Sequence, residues 1–134
     1  MDIGLLEDNP NILEYMQIAL EINGHRVHIH TESSSLLEML FSEHELHAPL
    51  LYDVVIIDLN LPRGLSGQEV IAHIRERIDQ RSLPLIVVSG AGPDKLAQVQ
   101  ASYPDIPALR KPFHLHILLQ LLETSKGATS THTP

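Results

Sequence analysis

The chain has 134 residues, of which 43% are apolar and 19% are charged. This length corresponds to one domain of about 100–150 residues, and the composition excludes collagen, a coiled coil and wholesale disorder. Nine Lys and Arg against seventeen Asp and Glu give a net charge of −8, which disfavours direct binding to nucleic acid or to an anionic membrane.

The sequence lacks the signals of a secreted, membrane-bound or zinc-binding protein. It contains no cysteine, which excludes a disulfide framework and a cysteine-ligated zinc site. The nine histidines show no metal-binding spacing and are expected to be scattered over the surface. No apolar run approaches the roughly 18 residues that cross a bilayer. The first residues are too short and acidic a stretch for a signal peptide, so we expect a cytoplasmic protein.

Five short apolar runs are predicted to be β-strands. The third and fourth are continuous and rich in β-branched residues, which is typical of parallel strands buried on both faces. The second alternates apolar residues with histidines, which indicates a half-buried edge strand. In chain order, the runs cover residues 3–6, 27–30, 54–57, 85–88 and 107–110.

Amphipathic stretches separate these runs and are predicted to be helices. In the first stretch, apolar residues recur at helical spacing after Pro10, a residue that suits a first helical turn. Capping boxes over 35–38 and 66–69, each with Ser first and Glu last, predict where the second and third helices begin. The predicted helices cover residues 10–23, 35–43, 66–78, 93–103 and 114–123.

Strands that alternate with helices predict an α/β fold, a parallel sheet with helices on both faces. The domain is expected to cover residues 1–123. Residues 124–134 are rich in Thr, Ser, Gly, Ala and Pro. This composition predicts a disordered polar tail or the start of a linker.

Polar side chains stand where four of the predicted strands end. Glu7 and Asp8 follow the first strand, Asp58 the third, Ser89 the fourth and Lys111 the fifth. Functional groups gather at the carboxyl ends of the strands in an open parallel sheet, so we expect these five residues in one shallow cleft. An acidic pair alone would equally suit a helix N-terminus, so the prediction depends on the whole set.

The chemistry of this set favours a magnesium site for phosphoryl transfer. Carboxylates held together repel one another unless a cation joins them, and hard oxygen ligands suit Mg²⁺. A lysine can hold a phosphoryl oxygen, and a carboxylate can act as a nucleophile that becomes an aspartyl phosphate. Asp58 is the best candidate for that nucleophile, because it ends the most apolar strand.

Taken in order, these motifs resemble the receiver domain of two-component response regulators. The resemblance extends from about Ile3 to Glu123. It implies a doubly wound, flavodoxin-like (βα)5 fold with strand order 2-1-3-4-5. The segments that carry the resemblance are 5–9 (LLEDN), 54–62 (VVIIDLNLP), 87–90 (VVSG) and 111–113 (KPF).

The resemblance implies a role for each acidic residue. Asp58 would take a phosphoryl group from a phosphohistidine donor, either a sensor histidine kinase or a histidine phosphotransfer protein. Mg²⁺ would be held by Asp8, by Asp58 and by the backbone carbonyl of Asn60. Glu7 would hold a water molecule bound to the metal.

The resemblance also implies roles for the remaining residues of the set. Ser89 and Lys111 would contact the phosphoryl oxygens, and the peptide bond between Lys111 and Pro112 would be cis, which only a bond before proline adopts at low cost. The domain would catalyse only its own phosphorylation and dephosphorylation. Asn60 and Ala91 occupy the positions that tune the rate of hydrolysis.

Two other functions stay open, and a departure from the family pattern bears on the first of them. Receivers usually carry, three positions before the lysine, an aromatic ring that moves inward on phosphorylation. Ala108 stands there and has no ring, which favours a phosphate-independent interaction module on the same fold. A haloacid-dehalogenase-like phosphatase would use similar groups, but that family has its Asp-x-Asp motif after the first strand, and the nearest match here is 58–60 (DLN), after the third.

The last predicted helix is apolar nearly all round. Ile117 and Leu121 lie off the face that its other apolar residues form. A helix of this kind is usually covered on both sides. We therefore hypothesise that it forms a homodimer or partner face.

Overall fold

The structure is an α/β fold with a single parallel sheet. This computed structural model describes residues 1–41, 51–90 and 92–130, with side chains as far as Ser125. All four neighbouring strand pairs are parallel, and the order β2-β1-β3-β4-β5 confirms the expected order. The strands are β1 (Asp2–Leu6), β2 (Arg26–His30), β3 (Val54–Asp58), β4 (Leu85–Ser89) and β5 (Ala108–Arg110).

Helices cover both faces of the sheet, as the sequence predicts. The first and last helices share one apolar cluster, and the three between them share another. This arrangement follows from right-handed crossovers between parallel strands. The helices are α1 (Pro10–Ile22), α2 (Ser33–Leu40), α3 (Gly67–Arg75), α4 (Pro93–Ser102) and α5 (Leu115–Ser130).

The central strands are covered on both faces. Every residue of β3 and β4 is buried. Val55 and Ile57 belong to the cluster under α2, α3 and α4, whereas Val54 and Ile56 belong to the cluster under α1 and α5. Successive side chains point to opposite faces of a strand, so two clusters require a continuous apolar run. The polar residues that end these runs therefore lie at one edge of the sheet.

Side-chain caps define the beginnings of α1 and α3. Asn9 Oδ1 accepts hydrogen bonds from the backbone N–H groups of Asn11 (3.0 Å) and Ile12 (3.3 Å). Ser66 Oγ accepts the N–H of Glu69 at 3.2 Å, and Glu69 Oε1 accepts the N–H of Ser66 at 3.0 Å. The predicted capping box of the third helix is confirmed. These caps fix the two helices that follow β1 and β3.

The capping box predicted at the start of α2 is wrong, because its serine lies inside the helix. Ser35 Oγ lies 2.7 Å from Nδ1 of His30, and Ser33 Oγ accepts the backbone N–H of Leu65 at 3.1 Å. Both hydroxyls thus bind other elements of the fold instead of capping their own helix. The predicted end of this helix at Glu43 lies outside the described residues.

The edge strand β2 buries a histidine that the sequence places at the surface. His30 is 5% exposed, while Ile29 is 38% exposed, so the predicted alternation is wrong at this end of the strand. The Nε2 atom of His30 lies 2.6 Å from the Tyr52 hydroxyl. Burial lowers the pKa of His30 and raises the pKa of Tyr52, so both groups are neutral near pH 7.

The last helix runs to Ser130, past its predicted end at Glu123. Thr124 Oγ1 donates to the carbonyl of Gln120 at 3.0 Å, and Ser125 Oγ donates to the carbonyl of Leu121 at 2.9 Å. Both hydroxyls thus bind carbonyls of the preceding helical turn. The prediction of a disordered stretch from residue 124 is therefore wrong as far as residue 130. None of the described helices is long and apolar enough to cross a membrane.

Candidate functional site

The acidic residues predicted from the strand ends meet at the carboxyl edge of the sheet. In the register of β1 and β3, Leu6 pairs with Ile57, so the residues that follow these two positions lie side by side. Glu7, Asp8 and Asp58 each offer a carboxylate oxygen within 4.8 Å of the other two. The sheet thus brings together carboxylates that are about fifty positions apart in sequence.

Lys111 extends into this acidic cluster from the end of β5. Its Nζ atom lies 2.5 Å from Oε1 of Glu7 and 3.7 Å from Oδ2 of Asp58. Its backbone N–H donates to the carbonyl of Ser89 at 2.8 Å, which fixes the loop against β4. The bond between Lys111 and Pro112 is cis, as the resemblance implies.

Burial makes the charge of this cluster unfavourable. Glu7 is fully buried and Asp58 is 3% exposed. Burial, followed by the charge of Glu7, raises the pKa of Asp58 to about 6, although the Asn60 N–H (3.2 Å from Oδ1) and Lys111 act in the opposite direction. Asp58 is therefore mostly ionised at pH 7, but at a cost in stability.

The donor set fits a hard divalent cation. Three carboxylates converge, and two of them, Glu7 and Asp58, share the ammonium group of Lys111. The excess negative charge at a buried location favours a bound cation, and an all-oxygen set with a half-exposed carboxylate, Asp8, suits Mg²⁺, which keeps several waters. The predicted acidic ligands are thus placed where they can act together.

The first turn of α3 lies against the backbone that carries Asp58, and sequence reasoning missed this approach. A Cβ added at Gly67 would lie 2.4 Å from the carbonyl oxygen of Asp58 and 2.6 Å from Cα of Leu59. Only glycine allows the first turn of α3 to lie against this backbone. The available signal was a glycine directly after the capping serine.

The structure gives the burial and position of three of the remaining predicted residues. Ser89 is fully buried at the end of β4, one residue beyond the partner of Asp58 in the register. Ala108 lies half-buried in β5, packed against the cluster under α2, α3 and α4. The Asn60 side chain is exposed. Ala91 lies outside the described residues.

Comparison with known families assigns the chain. The sequence model described as "Response regulator receiver domain" matches residues 3–123. The chain belongs to the response regulator receiver domain family. It is a receiver domain of the kind found in two-component response regulators, and neither alternative function receives support from the comparisons.

Curated relatives of this receiver domain are longer proteins. It is 28% identical over 131 residues to the "Uncharacterized transcriptional regulatory protein YkoG" of Bacillus subtilis, covering 98% of the chain and 53% of the relative. It is 25% identical over 119 residues to the "Response regulator ArlR" of Staphylococcus haemolyticus, covering 87% and 48%. The chain thus spans about half the length of these relatives.

Solved receiver structures share the fold. The BeF3-activated receiver domain of Klebsiella pneumoniae RstA superposes with a TM-score of 0.77 at 18% identity, over 93% of this chain and 97% of that one. The receiver domain of the Pseudomonas aeruginosa sensor histidine kinase PA1611 also gives 0.77, at 23% identity over 94% and 97%. That structure has a magnesium ion coordinated in its active-site cleft.

Proposed function

We propose that this receiver domain is a signalling switch that accepts a phosphoryl group on Asp58. The observation that carries the proposal is the juxtaposition of a buried, high-pKa aspartate with two further carboxylates and an ammonium group. A carboxylate nucleophile needs positioning and neutralisation of charge more than it needs a general base, because it is already ionised at pH 7.

The residues around Asp58 have distinct roles in this proposal. One oxygen of Asp58 bonds to phosphorus while the bond from phosphorus to the donor nitrogen breaks. The Nζ atom of Lys111 lies 3.7 Å from Asp58 Oδ2. The ammonium group is therefore close enough to leave Glu7 and bind a phosphoryl oxygen on Asp58 instead. Ser89, at the end of the neighbouring strand, donates its hydroxyl to another phosphoryl oxygen.

Asp8, Asp58 and the backbone carbonyl of Asn60 would hold Mg²⁺, with Glu7 acting through a water molecule. When bound, Mg²⁺ supplies the positive charge that offsets the carboxylates and the incoming phosphoryl oxygens. The convergence of the three carboxylates supports this ligand set, and a magnesium ion bound in the cleft of the PA1611 receiver agrees with it.

The donor in this proposal is a sensor histidine kinase or a histidine phosphotransfer protein, in the cytoplasm. After transfer, the domain hydrolyses its own acyl phosphate, so the signal has a finite lifetime. Asn60 and Ala91 tune that lifetime. We take residues 1–123 as the receiver unit and residues 124–134 as a polar tail or the start of a linker, the first part of which continues α5 to Ser130.

We further propose that α5 contributes a homodimer or partner face. Leu118 and Leu122 are buried against the sheet, while Ile117 and Leu121 keep part of their surface exposed. Replacing both Ile117 and Leu121 with lysine should lower self-association of the phosphorylated protein in sedimentation velocity. Unchanged sedimentation with and without phosphorylation would remove this part of the proposal.

Intact mass spectrometry tests the proposed function. The protein is incubated with Mg²⁺ and a small acyl phosphate donor. We expect the mass of one phosphoryl group to be gained by the wild-type protein, but not by Asp58→Ala or by the wild type in EDTA. Phosphorylation that persists in Asp58→Ala would exclude Asp58 as the acceptor.

A further inference from the structure

A polar cluster built on two buried residues, His30 and Tyr52, lies between α2 and the sheet, outside the phosphoacceptor site, and the exposed Ser35 completes it. The imidazole of His30 has Nε2 at 2.6 Å from the Tyr52 hydroxyl and Nδ1 at 2.7 Å from Ser35 Oγ. Both partners are hydroxyls, which can donate or accept, so either neutral tautomer of the ring is satisfied. The ring is therefore held from two sides, by the segment before β3 and by the first turn of α2.

The ring of Tyr52 packs against β1 at a glycine, Gly4. A Cβ added at Gly4 would lie 2.7 Å from Cδ2 of Tyr52, so the ring lies directly on the strand backbone. The ring of His28 packs against it, with centroids 5.1 Å apart. These contacts fix the ring without its hydroxyl, so Tyr52→Phe removes one hydrogen-bonding group and leaves the packing intact.

The cluster is connected to the site through the backbone of its histidine. His30 is the last residue of β2, and its carbonyl accepts the N–H of Glu7 at 3.1 Å. Glu7 in turn accepts from Lys111 Nζ, which lies 3.7 Å from Asp58. Direct contacts thus lead from the Tyr52 hydroxyl to the phosphoacceptor carboxylate.

The location of the cluster argues for a role beyond packing. The buried Tyr52 hydroxyl and His30 imidazole lose hydration, and apolar side chains of similar volume would fill the same space without that loss. What apolar side chains cannot do is fix the rotation of His30 by two directed bonds. A fixed ring holds the end of β2, and with it the carbonyl that binds Glu7.

We propose that Tyr52 and His30 are positioning residues of the magnesium site. The Tyr52 hydroxyl orients the imidazole, and the His30 carbonyl orients Glu7 toward the water-bound metal. The inference rests on the proposed function, because it takes Glu7 to hold that water. Groups that hydrogen-bond directly to metal ligands typically change metal affinity about 10–100-fold when they are removed. Tyr52 acts through His30 and Glu7, so we expect an effect at the lower end of that range.

The first test measures Mg²⁺ binding by NMR titration, which does not depend on phosphorylation. Tyr52→Phe should raise the Kd for Mg²⁺ about tenfold. The phosphorylation rate should fall at low Mg²⁺ and recover at saturating Mg²⁺. Tyr15→Phe is the matched control, since the Tyr15 side chain is 55% exposed on α1, and it should bind Mg²⁺ as the wild type does. Wild-type affinity in Tyr52→Phe would overturn the inference.

A double-mutant cycle separates positioning from a purely structural role. If Tyr52 acts through Glu7, Tyr52→Phe should leave the Mg²⁺ affinity of Glu7→Gln unchanged. The same tenfold loss in both backgrounds, or a lower unfolding midpoint with no change in affinity, would contradict the inference. Ser35→Ala removes the other bond to the ring and should weaken Mg²⁺ binding in the same direction. Ser34→Ala, at the neighbouring and likewise exposed serine of α2, should not.

The two proposals fail in different ways. Mg²⁺ binding and phosphorylation by the wild type, with an unaffected Tyr52→Phe, would refute only the positioning role. A wild-type protein that binds no Mg²⁺ would refute the proposed function and the positioning role with it.

Discussion

Two aspartates at opposite ends of the same sheet experience opposite electrostatics. Asp2, at the start of β1, accepts two hydrogen bonds from Arg26 (2.7 and 2.8 Å) and lies 3.1 Å from His28. These partners, Arg26 first, lower the pKa of Asp2 to about 2. At the carboxyl edge, burial and a neighbouring acid raise the pKa of Asp58 to about 6.

The two aspartates differ in how completely a neighbouring cation compensates their charge. The exposed guanidinium of Arg26 compensates the charge of Asp2, so this carboxylate has no need of a further cation. Asp58 shares one ammonium with Glu7, and that ammonium lies closer to Glu7. Negative charge that is left uncompensated in a buried location favours the binding of a cation, or of a ligand that brings a cation with it.

The largest effect is expected from removing the ammonium group. Lys111→Met leaves Glu7 and Asp58 buried without a cationic partner, so the free energy of unfolding in EDTA should fall by about 3 kcal/mol. Urea denaturation measures the change. Lys95→Met, on the exposed side of α4, should change it by less than about 0.5 kcal/mol. Equal losses in the two variants would show that Lys111 does not compensate the cluster.

A second prediction concerns the backbone that carries Asp58. Gly67→Ala must displace the loop after β3, because its Cβ would overlap the Asp58 carbonyl, so we expect a loss of about 2 kcal/mol and weaker Mg²⁺ binding. Gly92→Ala is the control, because no atom lies within 4 Å of its added Cβ. Titration calorimetry measures the affinity for Mg²⁺. An affinity of Gly67→Ala equal to that of the wild type would contradict the prediction.

Neutralising the two aspartates should have opposite consequences. Asp58→Asn removes a destabilising charge and should raise the free energy of unfolding at pH 7 in EDTA by about 2 kcal/mol. Asp2→Asn removes a compensated charge and should lower it. Changes of stability in the same direction in both variants would contradict the electrostatic difference between Asp2 and Asp58.

The smallest expected effect is the pH dependence of the free energy of unfolding. Since folding raises the pKa of Asp58 from 3.8 to about 6, the folded state binds the extra proton, and the destabilisation that ionised Asp58 causes should diminish as pH falls from 7 towards 4. The advantage of Asp58→Asn over the wild type should therefore shrink by about 1 kcal/mol between pH 7 and pH 5. Parallel pH profiles for the two proteins would exclude the raised pKa.

The residues of the site could be predicted because each one ends an apolar run. Asp58 and Lys111 stand directly after residues that must enter the sheet, and parallel strands carry such residues to one edge. The fold followed from the same alternation of strands and helices. Local signals were reliable where the partner was also local, as in the capping box of Ser66 and Glu69.

The features that escaped prediction depend on partners far away in sequence. Ser35 has the spacing of a cap, yet its hydroxyl binds His30 on another element. The burial of His30 depends on Tyr52, which arrives from the other side of β1. The approach of Gly67 to Asp58 is likewise set by packing, which no periodicity in the sequence records.

Proton release on Mg²⁺ binding tests most directly whether Asp58 is an uncompensated acid that shares a cation. Titration calorimetry at pH 6, in two buffers of different ionisation enthalpy, measures the number of protons released. With the pKa of Asp58 at about 6, we expect about half a proton released per Mg²⁺ bound by the wild type, and none by Asp58→Asn. Mg²⁺ binding with no proton release, or no binding at all, would contradict the account.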